Sequence, residues 1–175
     1  MGIFRFLLKL VLVVAVGIGI LLFAARFADG PLEIIAGGEL RSGELYSGEE
    51  PDWGILRDLD TVEFQLLEPT RSRTTWVMEA DGRVFIPSGY MTTWWGKIWK
   101  QWPFEALEDG RIVLRASGVR YERQLVRRQF AEVPPKVFDE LSRKYTSGSS
   151  GMTGDDARAA MDSGYLWVFE LVPRS

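Results

Sequence analysis

The chain has no cysteine and no histidine. The first absence rules out disulfides and thiol nucleophiles, but it leaves the compartment open, because many exported domains also lack cysteine. The second removes more chemistry. Without an imidazole there is no Ser-His-Asp or Cys-His nucleophile system, no histidine-ligated haem and none of the usual zinc sites. A metal would need oxygen ligands, and a general acid or base would have to be a carboxylate, lysine, tyrosine or water. No metal site is expected. A basic surplus is missing too, since 21 Lys and Arg stand against 24 Asp and Glu, for a net charge of −3. The leading segment holds Arg5, Lys9 and Arg26 and no acid, so the rest of the chain is more acidic still. A nucleic-acid binder normally shows a basic face, so nucleic acid is not an expected partner.

Polar residues are scarce at the start. From Phe6 to Ala25 the chain reads FLLKLVLVVAVGIGILLFAA, with Lys9 as its one charge. As an α-helix, twenty residues cover about 30 Å, the hydrocarbon thickness of a bilayer, and Lys9 lies near enough to one end to reach water. Residues 1–28 are therefore expected to form a transmembrane anchor whose partner is the lipid bilayer, met through residues 6–25. A cleaved signal peptide is the competing reading. Against it, the apolar run is long, and Ala24, Ala25 and Ala28 give a poor cleavage site, because Phe23 or Arg26 would fall three residues before the cut. Arg5 and Lys9 favour a cytoplasmic start, opposed in part by Arg26. The expectation is a single-pass protein of the bacterial inner membrane with its C-terminal domain in the periplasm.

Residues 29–60 are Gly-rich and without sustained period, yet too apolar for a free linker. They are expected to dock on the domain through Leu32, Ile34, Ile35, Leu40, Leu45 and Trp53. Residues 61–175 then form the domain itself. TVEFQLL, 61–67, alternates like a half-buried strand. TTWVMEA and RVFIPS flank Asp81-Gly82, a pair suited to a tight hairpin. RIVLRA, 111–116, turns at Ser117-Gly118 into VRYERQLVRRQF, where Tyr121, Arg123, Leu125 and Arg127 share a face. PPKVFDELSRKY, 134–145, is an amphipathic helix with Val137, Phe138, Leu141 and Tyr145 inward. TSGSSGMTG, 146–154, reads as a loop. Thr153 and Asp156 have capping-box spacing for a helix over 154–162, and Gly164 suits its stop. YLWVFELVP is apolar enough to be a strand buried on both faces. The fold class expected is mainly β with few helices: a six- to seven-stranded antiparallel barrel, preceded by one transmembrane helix.

MTTWWGKIWKQWP, 91–103, holds four of the seven tryptophans. A short helix places Trp95, Ile98, Trp99 and Trp102 on one stripe, with Lys97 and Lys100 off it. Packing at one end of the barrel is the simplest reading. Stacking on a flat conjugated ring and contact with the bilayer or a membrane partner are the others. Asp155 and Asp156 sit where acids cap a helix and complement its dipole, not where they would hold a metal. The glycines of GGELRSG do not lie between a strand and a helix, so they do not read as a nucleotide loop.

The order of these elements resembles the split β-barrel superfamily of pyridoxamine-phosphate oxidase-like and FMN- or deazaflavin-binding proteins. The match runs from about Gly37 to Arg174. It rests on GGELRSGE…PDW, TTWVMEADGRVFIPSG, the Trp- and Lys-rich connector, DGRIVLRASGVRYERQLVRR, the helix ending in RKY and the strand WVFELVPR. The resemblance implies a homodimer and, in flavin-binding members, a phosphate held near the dimer interface. The corresponding cofactor-binding residues here are Arg71 or Arg73, then Ser88, then Lys97 or Lys100, with Trp95 and Trp99 available to stack on the ring. The sequence departs from the family at GYMTTWWG, which interrupts the donor cluster with bulky aromatics.

Two functions follow. In one, the barrel holds no cofactor and serves as a membrane-anchored, non-catalytic binding or scaffold subunit of a membrane complex. In the other it binds FMN or a deazaflavin and acts as an oxidoreductase, the flavin supplying the redox chemistry that the chain's own residues lack.

Overall fold

The computed structural model describes residues 2–146 and 153–174. The expected loop 146–154 lies mostly outside the described residues, as does the side chain of Tyr145.

Helix α1, Gly2–Ala25, is long and apolar enough to cross a membrane. Its side chains are exposed as far as Ala24, so none of the described residues of the domain covers them. Fourteen of them between Phe6 and Phe23 are Leu, Ile, Val or Phe. At roughly 0.4 kcal/mol each these favour insertion by about 6 kcal/mol, more than one lysine near the helix end costs.

The strands are β1 Glu44–Leu45, β2 Thr61–Leu66, β3 Arg71–Trp76, β4 Met78–Ala80, β5 Arg83–Ser88, β6 Arg111–Ala116, β7 Val119–Arg128 and β8 Trp167–Pro173. Seven of them form an antiparallel sheet in the order β3-β2-β6-β7-β8-β5-β4, and β1 adds a short parallel ladder beside β7. The hairpin turns are set locally. Asp81 and Gly82 have φ of 54° and 75°, and Ser117 and Gly118 have φ of 50° and 78°, the left-handed pairs that match the twist of the strands they join.

One expectation is corrected. Residues 74–80 do not make a single strand. The run breaks after Val77, whose N–H makes the last bond of the β2–β3 register, to the Asp60 carbonyl, before Met78 passes to a new partner on β5. β3 then pairs with β2, and β4 pairs with β5. These are the two outermost strands of the sheet, yet they follow one another in the chain. The sheet must therefore curl until its rims meet at Val77. The result is a split half-barrel.

The concave side holds the main core, including Phe64, Leu66, Ile86, Ile112, Leu114, Leu125 and Phe169. On the convex side, α4 (Pro135–Thr146) and α5 (Gly154–Asp162) cover β4, β5 and β8 through Val137, Phe138, Leu141 and Ala157. The expected capping box of Thr153 and Asp156 starts α5.

The registers define one pole of the barrel. β2 ends and β3 begins there, at Leu66 and Arg71; β5 ends at Ser88, paired with the start of β8 at Trp167; and β6 begins at Arg111. Two short helices, α2 (Trp94–Trp99) and α3 (Trp102–Glu108), connect β5 to β6 across this pole. The chain leaving α1 reaches the same pole. Phe23, Arg26 and Phe27 line a hollow of about 420 Å³ with Thr70, in the β2–β3 turn, and with Arg41. By Asp29 the chain has climbed to Arg115 on β6.

From there residues 37–43 cross the convex face of β2, β3 and β6. Gly37 bridges to Ser72, and the Leu40 N–H donates to Gln65 Oε1 at 2.7 Å. Of the expected docking residues, Leu40 and Trp53 are buried, whereas Leu32, Ile34 and Leu45 are exposed. The fixing is done largely by polar bonds in their place.

Candidate functional site

The residues singled out from the sequence fall into two groups at this pole. Arg71 and Arg73 alternate with Ser72 on β3, and their registers, opposite Leu66 and Phe64, turn both toward the concave side. There they meet Glu105 of α3, with Arg71 Nη1 3.8 Å from Glu105 Oε1. Burial pushes the Arg73 guanidinium below its ordinary pKa, and Glu105 opposes the shift. Arg73 Nε and Glu105 Oε2 are both buried without a hydrogen-bond partner. Glu105 was not foreseen. Its only signal in the sequence is its place in the first turn of a helix.

The second group surrounds Tyr90. Ser88 is buried and its hydroxyl donates to the Met91 sulfur at 3.2 Å. Tyr90 follows with φ of 66°, and its ring packs on Trp95 at 4.7 Å and on Tyr165 at 5.2 Å. Lys100 lies over the same ring, 5.6 Å from the centroid, in a cation–π contact. Burial lowers its pKa. Lys97 is exposed on α2. Arg71 and Arg73 are thus drawn toward Glu105, while Ser88, Trp95 and Lys100 are held around Tyr90 and Met91.

A flavin phosphate is a dianion and needs charge-assisted donors converging from two or three directions. Here Ser88 is already committed to Met91, the arginines share their space with a carboxylate, and Lys100 rests on an aromatic face. Trp95 gives one face to Tyr90, and Trp99 points outward. This set does not fit a phosphate-and-ring site. Among the described residues no cluster of acids is placed to hold a metal.

The tryptophans correct another expectation. The stripe does not point inward. The chain forms two helices, not one, because Pro103 starts α3 after the break at Lys100 and Gln101. Only Trp102 is buried, with its ring 5.1 Å from Phe64 and 5.2 Å from Phe169, closing the end of the core. On α2 the exposures are 76% for Trp94, 43% for Trp95, 69% for Ile98 and 59% for Trp99. The side facing the barrel is Gly96, where an added Cβ would stand 2.0 Å from the Tyr90 carbonyl oxygen. Thr93 caps the helix by accepting from the Gly96 N–H, while its own hydroxyl donates to the Tyr90 carbonyl. α2 is an amphipathic helix with its apolar face turned out.

No protein-family model matches the chain, and no functionally curated protein matches it in sequence. Among solved structures it is similar to a candidate pyridoxamine 5′-phosphate oxidase from Listeria innocua, with 11% identity over 70% of this chain and 90% of that one and a TM-score of 0.44. It is also similar to a conserved hypothetical protein from Mycobacterium tuberculosis, with 13% identity over 75% of this chain and 84% of that one and a TM-score of 0.49. Neither likeness assigns a role to any residue of this chain.

Proposed function

We propose that the chain is a single-pass membrane protein whose half-barrel is a non-catalytic binding or scaffold subunit of a membrane complex. The observation that carries this reading is how closely the domain is joined to the apolar helix. Ala25, the last residue of α1, is buried. Gly38 lies so near the following turn that a Cβ would stand 2.3 Å from the Arg26 carbonyl oxygen and 2.7 Å from that of Ala28. Arg41 donates to the Phe27 carbonyl at 2.8 Å. A helix end built into the domain suits an uncleaved anchor that fixes the domain's height and orientation, which is what a scaffold requires.

Arg5 and Lys9 support a cytoplasmic N-terminus and a domain on the opposite face, periplasmic in a Gram-negative cell. The flavin-dependent alternative implied by the sequence resemblance has one favouring observation, the buried Arg73 Nε without a partner.

Two measurements test the proposal. Full-length protein purified in mild detergent is expected to be colourless and to take up neither FMN nor a deazaflavin; a stoichiometric flavin band would overturn the scaffold reading. The chain has no native cysteine, so an Asp155→Cys variant carries one thiol. That thiol is expected to react in intact cells with a reagent confined to the periplasm. Reaction only after lysis would reverse the topology.

A further inference from the structure

We infer that α2 is a second membrane contact, lying in the headgroup region of the same bilayer that α1 crosses, with Trp94, Trp95, Ile98 and Trp99 turned toward the lipid. The inference rests on α1 being a membrane span.

Geometry, not composition alone, selects this occupant. α2 and α3 cap the pole at which β5 ends and β6 begins. The chain arrives from α1 at that same pole, with Phe23 and Arg26 beside Thr70, and moves toward the opposite end as it passes Asp29. α1 therefore joins the domain at the pole that carries α2, so the exposed indoles sit on the end of the domain nearest a bilayer around α1.

The chemistry of α2 agrees with its position. Tryptophan is enriched where an apolar ring and a polar N–H meet the membrane surface together. The four exposed apolar residues lie within one arc of the helix, and Lys97 flanks that arc at the surface, where an ammonium can reach lipid phosphates. At the back, Gly96 lets the helix press on the Tyr90 carbonyl, and the Thr93 cap holds it there. α2 is therefore presented on a rigid mount, and two contacts with one bilayer would hold the domain upright and stop it swinging about the end of α1.

The test uses the full chain reconstituted in vesicles of neutral and anionic phospholipids, some brominated near the headgroup and others deep in the acyl chain. α1 contains no tryptophan, so quenching reports on the domain and is blind to the anchor. Wild-type fluorescence is expected to be quenched more by the shallow label than by the deep one. A variant with Trp94→Phe, Trp95→Phe and Trp99→Phe is expected to lose most of the quenched component, although Trp53, Trp76, Trp102 and Trp167 remain. Alkaline extraction of the same vesicles reports separately on α1. Protein that stays with the lipid but shows no shallow quenching overturns the interfacial role of α2 and leaves the anchor intact. Protein that is extracted overturns the anchor. Indoles that are shielded from bromine but cross-link between copies would mean that the face is covered by a second copy of the chain, which also overturns the inference.

Discussion

Arg115, on β6 in the sheet, places its Nη1 2.9 Å from Oδ1 of Asp29, four residues beyond the last residue of the apolar helix. The same Asp29 accepts from the Arg41 N–H at 2.7 Å and from the Ser42 N–H at 3.1 Å, while Arg115 also engages Glu63. One carboxylate thus gathers the chain leaving α1, the crossing segment and the sheet.

That carboxylate should be read out by acid. The Ser42 side chain, the Arg41 N–H and Arg115 together hold the Asp29 carboxyl well below its ordinary value of 3.8. Its folded pKa is lower than its unfolded one. Its contribution is therefore fully present above about pH 4 and is lost as the pH falls beneath that. Asp109, lowered to about 2 by Arg111, acts in the same direction. Asp29→Asn is expected to cost about 1 kcal/mol at neutral pH, a figure that allows for solvent screening of a partly exposed pair. It should also flatten the loss of stability below about pH 4. Thermal unfolding of the two proteins in detergent across that range checks both effects; equal acid profiles would count against the role given to Asp29.

Glu170 supplies a graded comparison. It is buried on the convex face, with Arg83 Nε 2.7 Å from Oε1 and Nη2 2.8 Å from Oε2, and with Arg128 Nε 2.6 Å from Oε2. Removing the carboxylate leaves two arginines facing one another. Glu170→Gln is expected to cost about 2 kcal/mol, discounted from the value for a fully buried pair because both arginines are partly exposed. Arg128→Ala leaves the two-point contact with Arg83 in place and should cost about half as much. Denaturant melts that reverse this order would refute the assignment.

Within the tryptophan-rich stretch, neighbours should behave oppositely. Trp102 fills the end of the core against Phe64 and Phe169, so Trp102→Ala is expected to cost about 3–5 kcal/mol. Trp94 has no such packing, and Trp94→Ala should change the stability of the detergent-purified protein by less than about 0.5 kcal/mol. Similar losses for the two would mean that α2 is buried.

Gly38→Ala tests the joint between helix and domain. The added methyl meets the backbone oxygens of Arg26 and Ala28, which cannot swing aside as a side chain would. Limited proteolysis is expected to cut faster between residues 26 and 43, while the melting of the barrel changes little. Unchanged cleavage would show that the joint is looser than its contacts imply.

The strands and their turns were legible because period-two alternation and the Asp-Gly and Ser-Gly pairs act through neighbours in sequence. The break at Val77 was not. TTWVMEA has unbroken strand character, and the corner arises where its pairing partner changes, from β2 as far as Asp60 opposite Val77 to β5 at Phe85 opposite Met78. The helical spacing of the tryptophans correctly grouped Trp95, Ile98 and Trp99. Periodicity says which side chains share a face, however, and not which way that face points. Gly96 carried the missing information, since a glycine alone on one side of a short helix marks where the helix can approach another backbone. The candidate site was legible as residue types. The acid at Glu105 and the bond from Ser88 to Met91, which decide what those residues can hold, are set by tertiary packing.

The corner at Val77 also matters for how copies of this protein share a surface. An open ribbon with unpaired amides at its margins would invite its neighbours to add strands. Here both margins belong to one uninterrupted stretch of chain that folds back toward itself. The β3 margin is met at Ser72 by the two bonds of the Gly37 bridge, and β4 is only three residues long, so each margin offers a neighbour a short stretch to extend.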